Sequence, residues 1–186
     1  DPENVAMRTK LAELCQRENK MEEALDHFEH LATLLERRER TEAQRAELYE
    51  KILLHRPLRS TMLKALVKIY HQKGETKKAL KWLEGAKAVV AADAELLGIQ
   101  AKLYASLHQL ESARTKFLEL ADLALANGEE NAALLAFAEI LFLIPDEEER
   151  LRSRIEGIKD GALGEVKNLV ELQRHEQEMR TTQSEE

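Results

Sequence analysis

Two stretches of the sequence match each other at a constant offset of 34 residues. The stretch KALVKIYHQKGETKKALKWLEGAKAVVA begins at Lys64, and the stretch GIQAKLYASLHQLESARTKFLELADLAL begins at Gly98. The matched pairs are Tyr70 and Tyr104, Ala79 and Ala113, Leu83 and Phe117, and Ala86 and Leu120. A period of this length is typical of repeat proteins, in which one structural unit stacks on the next.

The same pattern extends in both directions along the chain. One period earlier, the corresponding positions are Tyr49, Ile52 and Pro57. A small residue followed four positions later by an aromatic residue recurs as Ala24 with Phe28 and as Ala133 with Phe137, and Pro145 follows the second pair. The repeats are divergent in sequence, but their spacing is regular.

The composition favours helices throughout. The chain has only three Pro and seven Gly, and Ala, Leu, Glu, Lys and Arg, which are good helix formers, dominate it. No alternation of Val, Ile and Thr indicates strands. We therefore predict an all-α protein. Apolar periodicity places about ten helices near residues 4–18, 21–38, 41–55, 59–73, 76–91, 93–107, 110–126, 129–144, 147–158 and 162–179.

The repeats resemble the tetratricopeptide repeat, a helix–turn–helix unit of about 34 residues. The stretch YHQKGETKKAL is similar to the inter-helix turn of that family, with Gly74 in the left-handed position. The resemblance covers residues 1–146 and implies a right-handed superhelical solenoid of antiparallel helix pairs. We expect residues 147–180 to form capping helices over the apolar helix at 129–144, and residues 181–186 to be a disordered tail.

The first residues, DPEN, are similar to the connection between two repeats of this family. We therefore expect the chain to be a slice of a longer array. The alternative is a short protein whose first helix simply follows Asn4 as its N-cap.

The sequence shows no combination of residues that is typical of a catalytic or metal-binding site. The single cysteine, Cys15, rules out an internal disulfide framework and a cysteine zinc site, and we expect it to be a packed core residue. His27 and His30 lie one turn apart but lack a third ligand, so we expect them to be solvated. The stretch GIKDGALG from Gly157 lacks the Lys-Ser/Thr pair of a phosphate loop and is interpreted as a helix-to-helix turn. We predict no enzyme activity, cofactor, metal or small-molecule substrate.

No apolar run is long enough to cross a membrane and no signal peptide is visible, so a cytoplasmic setting is expected. Charge is strongly segregated along the chain. Residues 36–87 hold fourteen Lys and Arg against seven Asp and Glu, whereas residues 88–149 hold three against twelve. This asymmetry bears on the choice of partner.

The resemblance implies a concave groove lined by the first helix of each unit. The groove side chains it implies are Thr9, Glu13, Gln16, Arg17, Thr61, Lys64, Lys68, His71, Gln72, Glu95, Lys102, Ala105 and Ser106. Lys64 and Lys68 share a helix face, and Lys102 could extend them into a cationic strip. Such a strip suits an acidic or carboxylate-bearing peptide, although the same lysines are equally consistent with a solvated face.

Three functions compete at this point. The favoured one is a non-catalytic protein–protein interaction scaffold that binds a peptide or protein in its groove. The alternative is a regulatory or accessory segment of a larger enzyme or multiprotein assembly. Nucleic-acid binding through residues 36–87 is disfavoured, because stacking aromatics are scarce there and the neighbouring acidic segment repels phosphates.

Overall fold

The computed structural model describes residues 4–38 and 41–183, and within these ranges the chain is all-α, without a strand. The helices are α1 (Val5–Arg17), α2 (Met21–Glu36), α3 (Glu42–His55), α4 (Ser60–Gln72), α5 (Thr76–Gly85), α6 (Lys87–Ala91), α7 (Ala94–Ser106), α8 (Leu110–Ala126), α9 (Glu130–Leu143), α10 (Glu148–Glu156) and α11 (Ala162–Gln183). A short 3₁₀ turn, Pro145–Glu147, precedes α10. The all-α prediction is confirmed.

The chain divides into two compact units, and the boundary falls inside α6, between Val89 and Val90. In the first unit, helices that follow one another in sequence also pack together, from α1 through α5. In the second unit, α7, α8 and α9 pack in the same consecutive way, and α10 and α11 pack on α9 and on each other. Packing between neighbours in sequence is consistent with a helical repeat.

Four helix-to-helix turns share one backbone geometry. Each has one residue with positive φ, and these residues are Asn19 (59°), Gly74 (74°), His108 (57°) and Gly128 (77°). In every case the amide of that residue donates to the carbonyl three positions earlier, and the next amide donates to the carbonyl five positions earlier, at 2.8–3.1 Å. These two bonds define the Schellman motif, which satisfies the last carbonyls of a helix. The prediction for Gly74 is confirmed.

A buried alanine follows each of these turns at the same distance. Ala24, Ala79, Ala113 and Ala133 each lie five positions after the positive-φ residue, and all four are fully buried. Four positions further along lie Phe28, Leu83, Phe117 and Phe137, each at most 2% exposed. The alanine allows a close approach of the two helices, and the larger residue fills the space one turn later.

The first unit is held together by ion pairs as well as by its core. The Arg56 guanidinium, in the turn after α3, pairs with Glu22, Asp26 and Glu29 of α2 at 2.6–2.8 Å. These carboxylates raise the pKa of Arg56 above its usual value. The apolar core beside this network contains Ala12, Cys15, Ala24, Leu25, Phe28, Leu31 and Ile52. Together they fix α2 between α1 and α3.

The second unit is built around α9, which is apolar nearly all round. Seven of its residues are buried, and α8, α10 and α11 pack on it. The apolar helix α9 is therefore covered by three neighbouring helices. The polar helices α10 and α11 bury only Leu151, Ile155, Ala162, Val166 and Val170.

Two helix boundaries differ from the sequence prediction by more than two residues. The helix expected at 76–91 is interrupted at Ala86, which has φ −108° and ψ 37°, so α5 and α6 are separate. Gly85, a weak helix former, ends α5 at this point. At the other end, α11 continues to Gln183, into the segment expected to be a tail, and the Thr181 and Thr182 hydroxyls donate to carbonyls one turn back. The division at residue 146 stays a prediction.

Candidate functional site

The predicted groove residues of α1 do not all lie together. Thr9 is half-buried, and its hydroxyl donates to the Val5 carbonyl at 2.8 Å. Thr9 and Glu13 line a cavity of about 220 Å³ that is open to the surface. Arg17, in the last turn of α1, is exposed and does not line it. Gln16 does not line it either, so the structure brings two of the four α1 candidates to one site.

Apart from Val5 of α1, the rest of that cavity comes from α2 and α3. Phe28, Leu31 and Leu35 of α2 and Leu48 of α3 supply its apolar lining. Gln44, Glu47 and Lys51, all on α3, supply polar groups. The Lys51 ammonium is 2.9 Å from a Glu47 carboxylate oxygen and 5.6 Å from the centre of the Phe28 ring. We call this site the α1–α3 cavity.

Sequence reasoning missed the three polar residues of α3. Gln44, Glu47 and Lys51 are three and four positions apart, so they share one helix face. That spacing was a usable signal. However, it does not say which other helix the face meets, and α3 contributes to the site only because α1 and α3 both pack on α2.

Four more candidates form a single face of α4 in the same unit. Thr61, Lys64, Lys68 and His71 are spaced by three or four residues and therefore lie in one row. Lys64 is half-buried, and the other three are exposed. We call this row the α4 basic face. It presents two ammonium groups and an imidazole without a large apolar side chain between them.

Lys102 belongs to the second unit and is already engaged there. Its ammonium is 3.2 Å from a Glu139 carboxylate oxygen of α9, and its side chain is 67% exposed. An exposed ion pair of this kind contributes little and can be displaced by another anion. The continuous strip formed by Lys102 with Lys64 and Lys68 stays a prediction.

The aromatic residues of the basic segment are used inside the first unit. Tyr49 is 1% exposed, and burial together with its hydrogen bond to Glu36 raises its pKa to about 12. The Tyr70 hydroxyl donates to Glu50, and the Trp82 indole N–H lies 3.3 Å from the same carboxylate. Burial and the Glu50 carboxylate raise the pKa of Tyr70. Tyr49 and Tyr70 are buried, Trp82 is half-buried, and all three rings hydrogen-bond to carboxylates of the first unit.

The residues for which we predict no catalytic or metal-binding role make packing contacts and polar contacts within the fold. Cys15 is buried, and its thiol lies 3.9 Å from a Glu23 carboxylate oxygen. His27 Nδ1 is 3.5 Å from an Arg8 guanidinium nitrogen. The stretch from Gly157 to Gly164 holds the turn between α10 and α11, as predicted. Across residues 4–38 and 41–183, no three potential metal ligands among His, Cys, Asp and Glu converge.

In the part of the chain that the structure covers, no helix combines the length and apolar character that a membrane span requires. A comparison with protein-family models found no family that matches the chain, and a comparison with curated proteins found no match either. The internal repetition of the fold is therefore the main guide to function.

Proposed function

We propose that this chain is a non-catalytic scaffold of the tetratricopeptide type that binds a peptide or a protein segment. The support is the fourfold recurrence of one hairpin geometry, with the same turn bonds, the same buried alanine and a buried Phe or Leu four positions after it. A right-handed superhelical arrangement of these hairpins is part of the proposal. Arrays of this kind expose long helix faces that bind other chains.

The observation that carries the proposal is the α1–α3 cavity. It joins Thr9 and Glu13, which the resemblance implies as groove residues, to a polar row of α3 over an apolar floor. A cavity of about 220 Å³ is too small for most cofactors but suits one apolar side chain of a partner. Surrounding polar groups would then fix the orientation of the partner backbone.

The α4 basic face supplies the second half of the proposed site. Lys64, Lys68 and His71 suit carboxylates, because ammonium groups bind anions without demanding one geometry. The partner we propose is therefore a segment with one apolar anchor and several acidic residues. The anchor enters the α1–α3 cavity, and the acidic residues contact the α4 basic face.

Selection of random peptides displayed on phage tests this specificity directly. We expect enriched peptides to carry Asp or Glu together with a Leu, Ile, Met or aromatic anchor. The variant Lys64→Glu/Lys68→Glu should weaken a selected peptide at least about tenfold, because two attractive contacts become repulsive. The matched control is Lys77→Glu/Lys81→Glu, a pair of exposed lysines with the same spacing on α5. Equal losses in both variants would contradict a specific role for α4.

A second pair of variants tests the cavity. Gln44→Trp should fill the α1–α3 cavity and block the anchor, whereas Ala43→Trp, at an exposed neighbour that does not line the cavity, should bind normally. Circular dichroism establishes that both variants keep their helices. Full binding by Gln44→Trp would remove the cavity from the site, and selection of no peptide at all would overturn the proposed function.

A further inference from the structure

One apolar helix face of the first unit is open to solvent. Met7, Leu11 and Leu14 lie on one side of α1 and are 61%, 46% and 50% exposed. They border an open, largely apolar cavity of about 510 Å³ together with Asn4, Arg8, Lys10 and His27. An exposed row of three large apolar side chains on one helix is a feature of docking surfaces rather than of a solvated face. We call this row the α1 ridge.

An apolar groove of the second unit is also open. It runs between α9 and α11 and has a volume of about 360 Å³. Its apolar lining is Leu134, Leu135, Leu169 and Leu172, of which Leu135 is 49% and Leu172 61% exposed. Asn131, Asn168 and Glu165 complete the lining. We call it the α9–α11 groove.

The α1 ridge and the α9–α11 groove are complementary in shape and in charge. A single row of side chains on one helix fits the furrow between two others, which is how helices pack. Arg8 and Lys10 border the α1 ridge, whereas Glu165, which pairs with Lys159 at 2.9 Å, lines the groove. The net charges of the two units are also opposite in sign. Residues 1–89 hold eighteen Lys and Arg against fifteen acidic residues, and residues 90–186 hold ten against twenty.

We propose that the α1 ridge of one copy of this chain docks in the α9–α11 groove of a second copy. The contact is heterologous, since the two copies use different surfaces, and each dimer keeps one free ridge and one free groove. Addition of further copies follows from this, so the assembly grows with concentration. A contact of one helix in one groove is small, so we expect a dissociation constant on the order of 10–100 μM.

Sedimentation velocity across that concentration range tests the proposal on the full chain. The wild type should show a weight-average mass that rises with concentration. Leu11→Glu, which breaks the ridge, and Leu172→Glu, which breaks the groove, should each raise the dissociation constant at least about tenfold, because a buried unpaired carboxylate is costly. Leu54→Glu, at a 71% exposed leucine on neither surface, is the control and should assemble as the wild type does.

Mixing the two broken chains distinguishes this contact from every symmetric one. A Leu11→Glu copy keeps its groove and a Leu172→Glu copy keeps its ridge, so the mixture should form one-to-one dimers that grow no further. Leu11→Gln and Leu172→Gln provide milder versions if circular dichroism shows that a Glu variant has lost helix. A monomeric wild type, a mixture that does not dimerise, or unchanged assembly of the single variants would overturn the proposal.

Discussion

The α4–α5 hairpin and the α7–α8 hairpin lie 34 residues apart and are two versions of one structure. Both have a Schellman turn, at Gly74 and at His108, and both bury an alanine five positions later. Their exposed positions nevertheless differ. The corresponding pairs are Thr61 and Glu95, Lys64 and Gly98, Lys68 and Lys102, and His71 and Ala105.

This comparison separates the positions that determine the helix crossing from the positions that determine the charge of each hairpin. The buried alanine and the turn are kept in both hairpins, because each change there affects the helix crossing. The α4 row holds Lys64, Lys68 and His71, whereas in the corresponding α7 row the one basic residue is Lys102, which pairs with Glu139. The turn geometry and the buried alanine are thus common to the two hairpins, whereas the charges on their first helices differ.

The largest expected effect on stability comes from a position where the two hairpins have different residues in their interior. Leu80 of α5 is 5% exposed, and its counterpart in α8 is Arg114. Arg114 donates to the buried carboxylate of Glu147 at 2.6 Å. Arg114→Leu copies the first hairpin into the second but leaves that carboxylate without its best partner. We expect a loss of about 3 kcal/mol in the free energy of unfolding, measured by urea titration.

Two further variants show which interaction causes that loss of unfolding free energy. Arg150 pairs with the same carboxylate at 2.7 Å, but its side chain is 75% exposed, so Arg150→Leu should cost less than about 1 kcal/mol. The double variant Arg114→Leu/Glu147→Leu removes the charge as well as its partner and should recover most of the stability. If the double variant were as unstable as Arg114→Leu, packing rather than the loss of one ion-pair partner of Glu147 would explain the loss.

The next largest expected loss of stability should be the same in the α4–α5 and α7–α8 hairpins. Ala79 and Ala113 are fully buried at the helix crossings, so Ala79→Leu and Ala113→Leu should each cost about 2 kcal/mol through overpacking. Thermal melts followed by circular dichroism measure this. Ala126→Leu, at an exposed position of α8, is the control and should be close to neutral. A neutral Ala113→Leu would mean that the second hairpin does not share the close crossing of the first.

The turns should respond in opposite directions. Gly74 has a φ of 74°, so Gly74→Ala should cost about 1 kcal/mol, because a Cβ is unfavourable in the left-handed region. His108 already has a φ of 57°, so His108→Gly should gain up to about 1 kcal/mol in urea titrations. Gly164 of α11, whose φ is not positive and where a Cβ would meet no atom within 4 Å, provides a reference through Gly164→Ala. A destabilising His108→Gly would show that the imidazole makes its own contribution at this turn.

These turns also show how far the sequence leads. Gly74 was recognisable because glycine is the usual left-handed residue, and the buried alanines followed from their spacing. Asn19 and His108 adopt the same conformation but were not predicted, since both residues are also common in helices and loops. The break at Ala86 was missed because one weak former, Gly85, hardly changes the helix propensity of the segment.

The candidate site was predictable only in part, for a physical reason. Periodicity identifies which residues share a helix face, and it placed Thr61, Lys64, Lys68 and His71 in one row. It does not give the neighbour of that face. The polar row of α3 reached the α1–α3 cavity through the packing of both helices on α2, and Arg17 did not reach it. Contacts between helices depend on tertiary packing, which local spacing does not encode.

The smallest expected effect is the pH dependence of the Arg114 pair. Burial alone would raise the pKa of Glu147, but hydrogen bonds from Arg114 and Arg150 lower it below its usual value. A lowered pKa in the folded state means that the carboxylate stabilises the fold above the unfolded-state value of about 4.3 and loses this contribution as the pH falls through the folded-state value. The apolar counterpart Leu80 cannot contribute such a term.

The stability difference between the wild type and Arg114→Leu/Glu147→Leu should therefore shift towards the double variant as the pH falls from about 5 to 3. Urea titrations at several pH values measure this difference. Glu148, whose pKa is lowered by Lys167, is present in both chains, so its contribution cancels. Parallel stability curves for the two chains would mean that Glu147 has the same pKa folded and unfolded, and that the ion pair of the second hairpin is only a substitute for the buried Leu80 of the first.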